Sequence, residues 1–164
     1  VWNPACFPTK PLPHAEREII FGFAGAFGHR ASNIERFEKY GLQSRKREAG
    51  TDTYAGYVEH LAKSRIVVNF AQTGSQRHMH VKGRIIESAL CGAMVIEQKN
   101  SPTGSWFHAG VDYLEYSSSK EVGSIVSRLS ERPQESQEIA DKLRAKVSSN
   151  HSPEKFWGRI IDRI

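Results

Sequence analysis

The pattern of apolar and polar positions that is most informative about structure lies between residues 64 and 100 of the chain. Residues 65–70 form a short apolar run rich in Val and Ile, which predicts a strand buried on both faces. Residues 71–80 are polar and show no period, so they predict a loop. Apolar residues then recur every four positions over 81–91, which predicts a helix, and residues 93–96 predict a second buried strand. This order favours parallel strands joined by a right-handed crossover.

The rest of the chain continues this alternation of strands and helices, which predicts an α/β fold with a parallel sheet. A first strand is predicted over 19–24, and a turn that contains glycine follows over 25–30. Residues 42–50 are polar and basic, and their pattern does not show whether they include a strand. Residues 101–110 contain Pro and Gly and predict a loop. Two further helices are predicted over 32–40 and 51–63, and a strand is predicted over 111–116. Three more helices are predicted to begin near 120, at 133 and at 152.

The start of the helix over 81–91 carries a concentration of positive charge. Lys82 and Arg84 lie in its first turn, and Arg77 lies just before it. Such cations oppose the helix dipole, at a cost of roughly 1 kcal/mol or less each. Free N–H groups at a helix start, next to cations and at the carboxyl end of a parallel strand, suit an anion and above all phosphate. The alternative interpretation is that Lys82 and Arg84 are solvated and that Arg84 pairs with Glu87.

Composition narrows the class of protein and of partner. The 164 residues are 38% apolar and 25% charged, as in soluble globular domains. No apolar run approaches the roughly 20 residues of a membrane helix, and no secretory signal is recognisable, so a cytoplasmic location is expected. Cys6 and Cys91 fit a reducing compartment. The net charge of +5 favours acidic partners. Residues 45–47 are the only tight basic cluster, without a nucleic-acid motif, so no nucleic-acid partner is expected.

The sequence KGRIIE at residues 82–87, followed by ALCGA at 89–93, resembles the nucleotide-sugar-binding half of GT-B glycosyltransferases. The resemblance is greatest to a bacterial branch described as family-1-like or spore-maturation-like. It implies a Rossmann-like, three-layer α/β/α domain that forms one half of a GT-B fold. It also implies that Glu87 corresponds to the donor-site Glu that hydrogen-bonds the ribose. Related retaining enzymes carry another acidic residue eight positions earlier, where this chain has Met79 between two histidines.

The resemblance further implies a donor site for a nucleotide diphosphate sugar, with no tightly bound cofactor and no obligatory metal. Arg84 and Lys82 would stabilise the leaving diphosphate and Glu87 would orient the ribose, so these three are the predicted catalytic residues. Arg30, or alternatively His29, would face the phosphates, and one of the two loop histidines could bond the sugar or a phosphate. The predicted donor-binding residues are Gly25, Arg30, Arg77, His78, His80, Lys82, Gly83, Arg84 and Glu87.

Domain organisation follows from the same resemblance. Residues 1–17 contain four prolines, which exclude a helix or a central strand, and they predict an extended interdomain linker. Residues 18–164 are predicted as the nucleotide-sugar-binding domain, and the N-terminal acceptor domain is expected to be missing. The last helix, over 152–164, is expected to pack back towards that domain. The chain alone is therefore expected to be inactive, and a peripheral membrane contact of the full-length protein stays open.

Two other functions are compatible with parts of this pattern. A non-catalytic nucleotide- or phosphate-binding Rossmann-like module would use the same three cations and would not need Glu87. A doubly wound regulatory domain of the receiver type is disfavoured, because no acidic cluster follows the first strand.

Overall fold

The computed structural model describes residues 6–47, 53–75 and 77–150. Within them, five parallel strands form one sheet in the order β2-β1-β3-β4-β5. The strands are β1 (Ile19–Gly25), β2 (Leu42–Lys46), β3 (Ser64–Asn69), β4 (Met94–Gln98) and β5 (Leu114–Tyr116). The helices are α1 (Ala31–Glu38), α2 (Tyr54–Lys63), α3 (Gly83–Leu90), α4 (Ser101–Gly104), α5 (Ser119–Ser130) and α6 (Pro133–Asn150). The predicted α/β class with a parallel sheet is confirmed.

Alternate residues of the central strands face two different helical layers, as the period of a strand requires. One face packs against α1 and α5 and part of α6. The other face, with Val67 and Val95, packs against α2 and α3 and the later part of α6. Because both faces are covered, β3 is buried along its whole length. The first layer buries Phe21 and Phe23 of β1, Ile66 and Val68 of β3, and Met94 and Ile96 of β4.

Two segments differ from their sequence-based description. The polar stretch after Gly41 does form a strand, β2, which lies at the edge of the sheet and buries only Leu42. The loop predicted over 101–110 begins instead with the single helical turn α4. The Asn100 side chain caps this turn by accepting from Thr103 N at 2.7 Å, and Pro102 favours its start. The helix predicted over 152–164 lies outside the described residues.

The segment before β1 is tied to the amino end of the sheet through a buried histidine. His14 Nε2 lies 2.8 Å from the carbonyl oxygen of Gly92, and Nδ1 lies 2.7 Å from Ser136 Oγ. Arg17 donates to the carbonyl oxygens of Ser64 and Cys91 at 2.7 and 2.9 Å. The pKa of His14 is lowered to about 4, and burial is the largest of the causes. The imidazole is therefore neutral in the folded chain at neutral pH.

Gly22 of β1 lies too close to Ser64 of the neighbouring strand β3 for any side chain. A Cβ there would overlap Ser64 Oγ and would lie 3.3 Å from His60 Nε2. We expect Gly22→Ala to reduce the free energy of unfolding by about 1–3 kcal/mol, because the strand or helix α2 must shift. Gly74→Ala is the control: a Cβ there meets nothing within 4 Å, so a change within about 0.5 kcal/mol is expected. Urea unfolding measures the stability of both variants, and equal unfolding midpoints for Gly22→Ala and Gly74→Ala would contradict the prediction.

Candidate functional site

The strand order places a cleft between the carboxyl ends of β1 and β3. The chain leaves β1 towards α1 on one face of the sheet and leaves β3 towards α3 on the other. Such a point, where successive connections diverge, is where open parallel sheets bind ligands. A cleft of about 310 Å³ lies there. It is lined by Gly25, Ala26, Arg30, Arg47, Tyr57, Lys82, Gly83, Arg84 and Glu87.

The amino end of α3 forms one wall of this cleft. Lys82 precedes the helix with extended backbone, and its side chain does not cap the helix. Gly83 is the first helical residue and lines the cleft. The first N–H groups of an α-helix have no partner within the helix, so this end carries a partial positive charge. The wall therefore favours a negatively charged group.

Arg84 is held across the ends of both strands. Its Nε donates to the carbonyl oxygen of Ala24 at 2.9 Å, and its Nη1 donates to Asn69 Oδ1 at 2.8 Å. The guanidinium carbon lies 4.6 Å from the centre of the Phe23 ring, a cation–π distance. A Cβ at Gly25 would overlap Arg84 Nη2, so the glycine leaves the room that this side chain occupies. A guanidinium has five N–H groups, and the two bonds named here leave others for a ligand.

Glu87 is fixed by two tyrosine hydroxyls, and the sequence alone did not indicate this. Tyr54 Oη donates to Glu87 Oε1 at 3.0 Å, and Tyr57 Oη donates to Oε2 at 2.6 Å. The two rings stack with their centres 5.8 Å apart. Burial first, and the Glu87 carboxylate next, raise the pKa of Tyr54, so its hydroxyl stays a donor. Each carboxylate oxygen accepts more than one hydrogen bond, so Glu87 can still accept from a ligand.

Positive charge dominates the cleft. Four of the lining residues are cations, Arg30, Arg47, Lys82 and Arg84, and among the described lining residues only Glu87 is acidic. Burial lowers the pKa of Lys82, and the positive charges of Arg30 and Arg84 lower it further. Burial likewise lowers the pKa of Arg30, with Arg84 as the second cause. An anion bound here would relieve this repulsion between like charges.

Six of the nine predicted donor-binding residues line the cleft together. They are Gly25, Arg30, Lys82, Gly83, Arg84 and Glu87. His80 is exposed next to them, with Nε2 at 2.9 Å from Lys82 Nζ. Arg77 and His78 are exposed in the loop after β3 and are not among the lining residues. The structure thus brings together residues at the end of β1, after it and at the start of α3, and the lining does not include Arg77 or His78.

Three lining residues were missed by the sequence analysis: Ala26, Arg47 and Tyr57. Arg47 follows β2, a strand that the polar pattern did not reveal. Its backbone N–H donates to the carbonyl oxygen of Gly25 at 3.0 Å. Tyr57 lies on α2 and is buried. Its hydroxyl donates to Glu87, which lies 30 positions later, and no local pattern links the two residues.

Two further properties concern the described residues only. No three His, Cys, Asp or Glu side chains are grouped there in a way that could hold a metal ion. Of the helices described, none has the length and apolar character needed to cross a membrane.

Fold and cleft together define a Rossmann-like α/β domain with a ligand site at the divergence point of its sheet. The model of a glycosyl transferase-like family matches residues 11–162 of the chain. The chain therefore belongs to this glycosyl transferase-like family. Comparison with curated protein sequences gives no match.

Solved structures of similar fold include HepE of Anabaena and TarM. HepE in complex with UDP and glucose has a TM-score of 0.69 at 14% identity, covering 99% of this chain and 54% of HepE. HepE in complex with UDP-glucose gives 0.69 at 15% identity, covering 99% and 55%. TarM gives 0.67 at 11% identity, covering 95% of this chain and 36% of TarM. The likeness confirms the predicted fold class, a Rossmann-like half of a GT-B fold. The chain spans about half of the HepE chain.

Proposed function

We propose that this chain is the donor-binding half of a glycosyltransferase and that its cleft holds the diphosphate of a nucleotide sugar. The observation that carries the proposal is the meeting of four cations with the open amino end of α3 at the divergence point of the sheet. Membership in the glycosyl transferase-like family supports it. The HepE structures contain UDP or UDP-glucose, which makes UDP the first nucleotide to test.

The proposed chemistry is transfer of the sugar to an acceptor, with the nucleoside diphosphate as leaving group. Negative charge grows on the diphosphate as the bond to the sugar breaks. Arg84 and Lys82 and the N–H groups at the start of α3 would stabilise that charge, and Arg30 would face the phosphates from the β1 side. This arrangement supplies positive charge without requiring a metal. Arg77, His78 and His80 stay predicted donor contacts, which would approach from the loop after β3.

Glu87 is proposed to accept a hydrogen bond from the ribose. Its carboxylate lies in the cleft one helical turn after the phosphate-facing wall, and the two tyrosines hold it in place. A ribose hydroxyl could therefore bond an oxygen whose position is already fixed, with little loss of side-chain entropy.

Acceptor binding and the catalytic base are proposed to come from a preceding domain, with residues 1–17 as the linker. The donor domain would comprise residues 18–164, and its last segment would pack against that preceding domain. This chain alone would then bind the donor weakly and transfer nothing. The same proposal places the protein in the reducing compartment of the cytoplasm. It includes no nucleic-acid partner, and it includes a peripheral membrane contact of the longer protein.

Calorimetric titration with UDP, GDP, ADP and dTDP tests the donor site, first without metal and then with Mg²⁺. We expect one nucleotide to bind without metal. The titration is made with this chain and with a longer form that carries the preceding domain. Lack of binding in both forms would overturn the proposal.

Glu87→Ala separates the donor site from a simple phosphate site. If Glu87 contacts the ribose, the variant loses about 1–3 kcal/mol of nucleotide affinity and keeps its affinity for inorganic pyrophosphate. Glu138→Ala, an exposed position on α6, is the matched control and should bind like the unmodified chain. Unchanged or tighter nucleotide binding by Glu87→Ala would instead favour the non-catalytic phosphate-binding module.

A further inference from the structure

A buried carboxylate lies behind Arg84, outside the cleft described above. Glu97, near the end of β4, is 0% exposed. Asn69 Nδ2 donates to its Oε2 at 2.6 Å, and Asn100 Nδ2 lies 3.3 Å from its Oε1. The other end of the Asn69 amide, Oδ1, accepts from Arg84 Nη1 at 2.8 Å. One continuous row of hydrogen bonds therefore runs from Glu97 through Asn69 to the guanidinium.

The orientation of the Asn69 amide in this row depends on whether Glu97 is ionised. An amide group has a donor end and an acceptor end, whereas an ionised carboxylate only accepts. Glu97 therefore admits one orientation of the Asn69 amide, with N–H towards Glu97 and oxygen towards Arg84. The reversed amide would turn its N–H groups against the guanidinium, which has no acceptor. A group that could also donate would not enforce this choice.

The groups that face Glu97 come from all the neighbouring elements. Arg84 of α3, with Lys82 before it, contributes positive charge, and Asn69 and Asn100 contribute amides. On the β5 side, Glu115 is its partner in register, and the hydroxyls of Tyr113 and Tyr116 complete the surroundings. Burial raises the pKa of Glu97 to about 7, against the opposite effect of the hydrogen bond from Asn69 and of the two cations. Both protonation states are therefore accessible near neutral pH.

We propose that Glu97 is a positioning residue of the cleft: through the Asn69 amide it fixes the Arg84 guanidinium in the orientation that faces the ligand. The identity of that ligand, a nucleoside diphosphate, rests on the proposed function. The fixing of Arg84 does not, because it is a property of the chain without ligand.

The test compares Glu97→Gln with Glu115→Gln. The glutamine at 97 has the same shape as glutamate and can also donate, so only Arg84 then favours the observed orientation of the Asn69 amide. In the chain without nucleotide, solvent exchange of the Arg84 Nη1–H groups, which donate to Asn69, should speed up roughly threefold to tenfold when measured by ¹⁵N NMR, as expected for the loss of one hydrogen bond. UDP affinity should fall by a similar factor. Glu115→Gln changes the neighbouring carboxylate on β5, which lies outside this row of hydrogen bonds, and should alter neither the exchange rate nor the UDP affinity.

Exchange in Glu97→Gln that equals the unmodified rate would overturn the proposal, even if UDP binds normally. Faster exchange in Glu97→Gln, with no UDP binding by the unmodified chain, would support the positioning role and count against the donor site. Should the variant not fold, the unmodified chain gives a second test. Between about pH 5.5 and 8.5, the Asn69 amide and Arg84 Nη1–H signals should shift together. A shift of the Asn69 signals alone would overturn the proposal.

Discussion

Replacing Arg84 with alanine is expected to weaken UDP binding by roughly 10-fold to 100-fold. Hydrogen bonds to charged groups contribute about 1.5–3 kcal/mol, and two hydrogen bonds within the chain hold Arg84 in the cleft. The Ala24 carbonyl, the Asn69 amide and the Phe23 ring all constrain it, so it can meet a diphosphate without reordering. Lysine cannot reproduce these contacts, because it has one ammonium group instead of a planar fork, so Arg84→Lys should also bind weakly.

Calorimetry with UDP measures this loss, and thermal unfolding shows whether the variants remain folded. Arg36→Ala, an exposed arginine of α1, is the matched control and should bind UDP as the unmodified chain does. A folded Arg84→Ala chain that binds UDP within about twofold of the unmodified chain would remove Arg84 from the proposed site.

The second large effect concerns stability in acid and arises at the other end of the sheet. The pKa of His14 is lowered to about 4 from an ordinary value of 6.5. The neutral imidazole therefore contributes its full stabilisation to the free energy of unfolding above about pH 6.5. This contribution falls as the pH drops towards 4 and is constant below that. The gap between the two values corresponds to about 3 kcal/mol of unfolding free energy, of which about 2 is lost by pH 5.

Urea unfolding of the unmodified chain and of His14→Gln from about pH 7.5 to 4 isolates this contribution. Relative to the variant, the unmodified chain should lose stability as the pH falls. Glu97→Gln provides a comparison of opposite sign. Because burial raises the pKa of Glu97 to about 7, ionisation destabilises the fold as the pH rises from 4.5. Parallel curves for the unmodified chain and His14→Gln would show that the histidine is not buried as described.

The central part of the fold was predictable because its residues follow strong local periods. The strands β1, β3 and β4 each contain a short apolar run and are largely buried, and α3 repeats its apolar residues at helical spacing. The position of the cleft followed from a general rule, since consecutive parallel strands bring their carboxyl ends to one edge. The edge strand β2 escaped detection, because a strand with one buried residue has no apolar pattern to detect.

The inner construction of the site was not predictable from the sequence. The bond between Tyr57 and Glu87 spans 30 positions, and the row from Glu97 through Asn69 to Arg84 joins three separate elements. Such contacts depend on where strands and helices pack, which local spacing does not encode. The charge pattern around Lys82 and Arg84 did indicate an anion site. The same pattern equally allowed a pair of Arg84 with Glu87, whereas the structure gives these two side chains different partners.

The path of the segment before β1 has a mechanical consequence. From His14 at the amino edge of the sheet, the segment lies along the domain, where the Thr9 carbonyl accepts from Arg144 at 3.0 Å. It reaches Phe7, whose ring meets Tyr54 edge-on with the centres 6.3 Å apart. Tyr54 in turn donates to Glu87. A displacement of the chain at Phe7 would therefore be transmitted through the contact of the two rings to the tyrosine that holds Glu87.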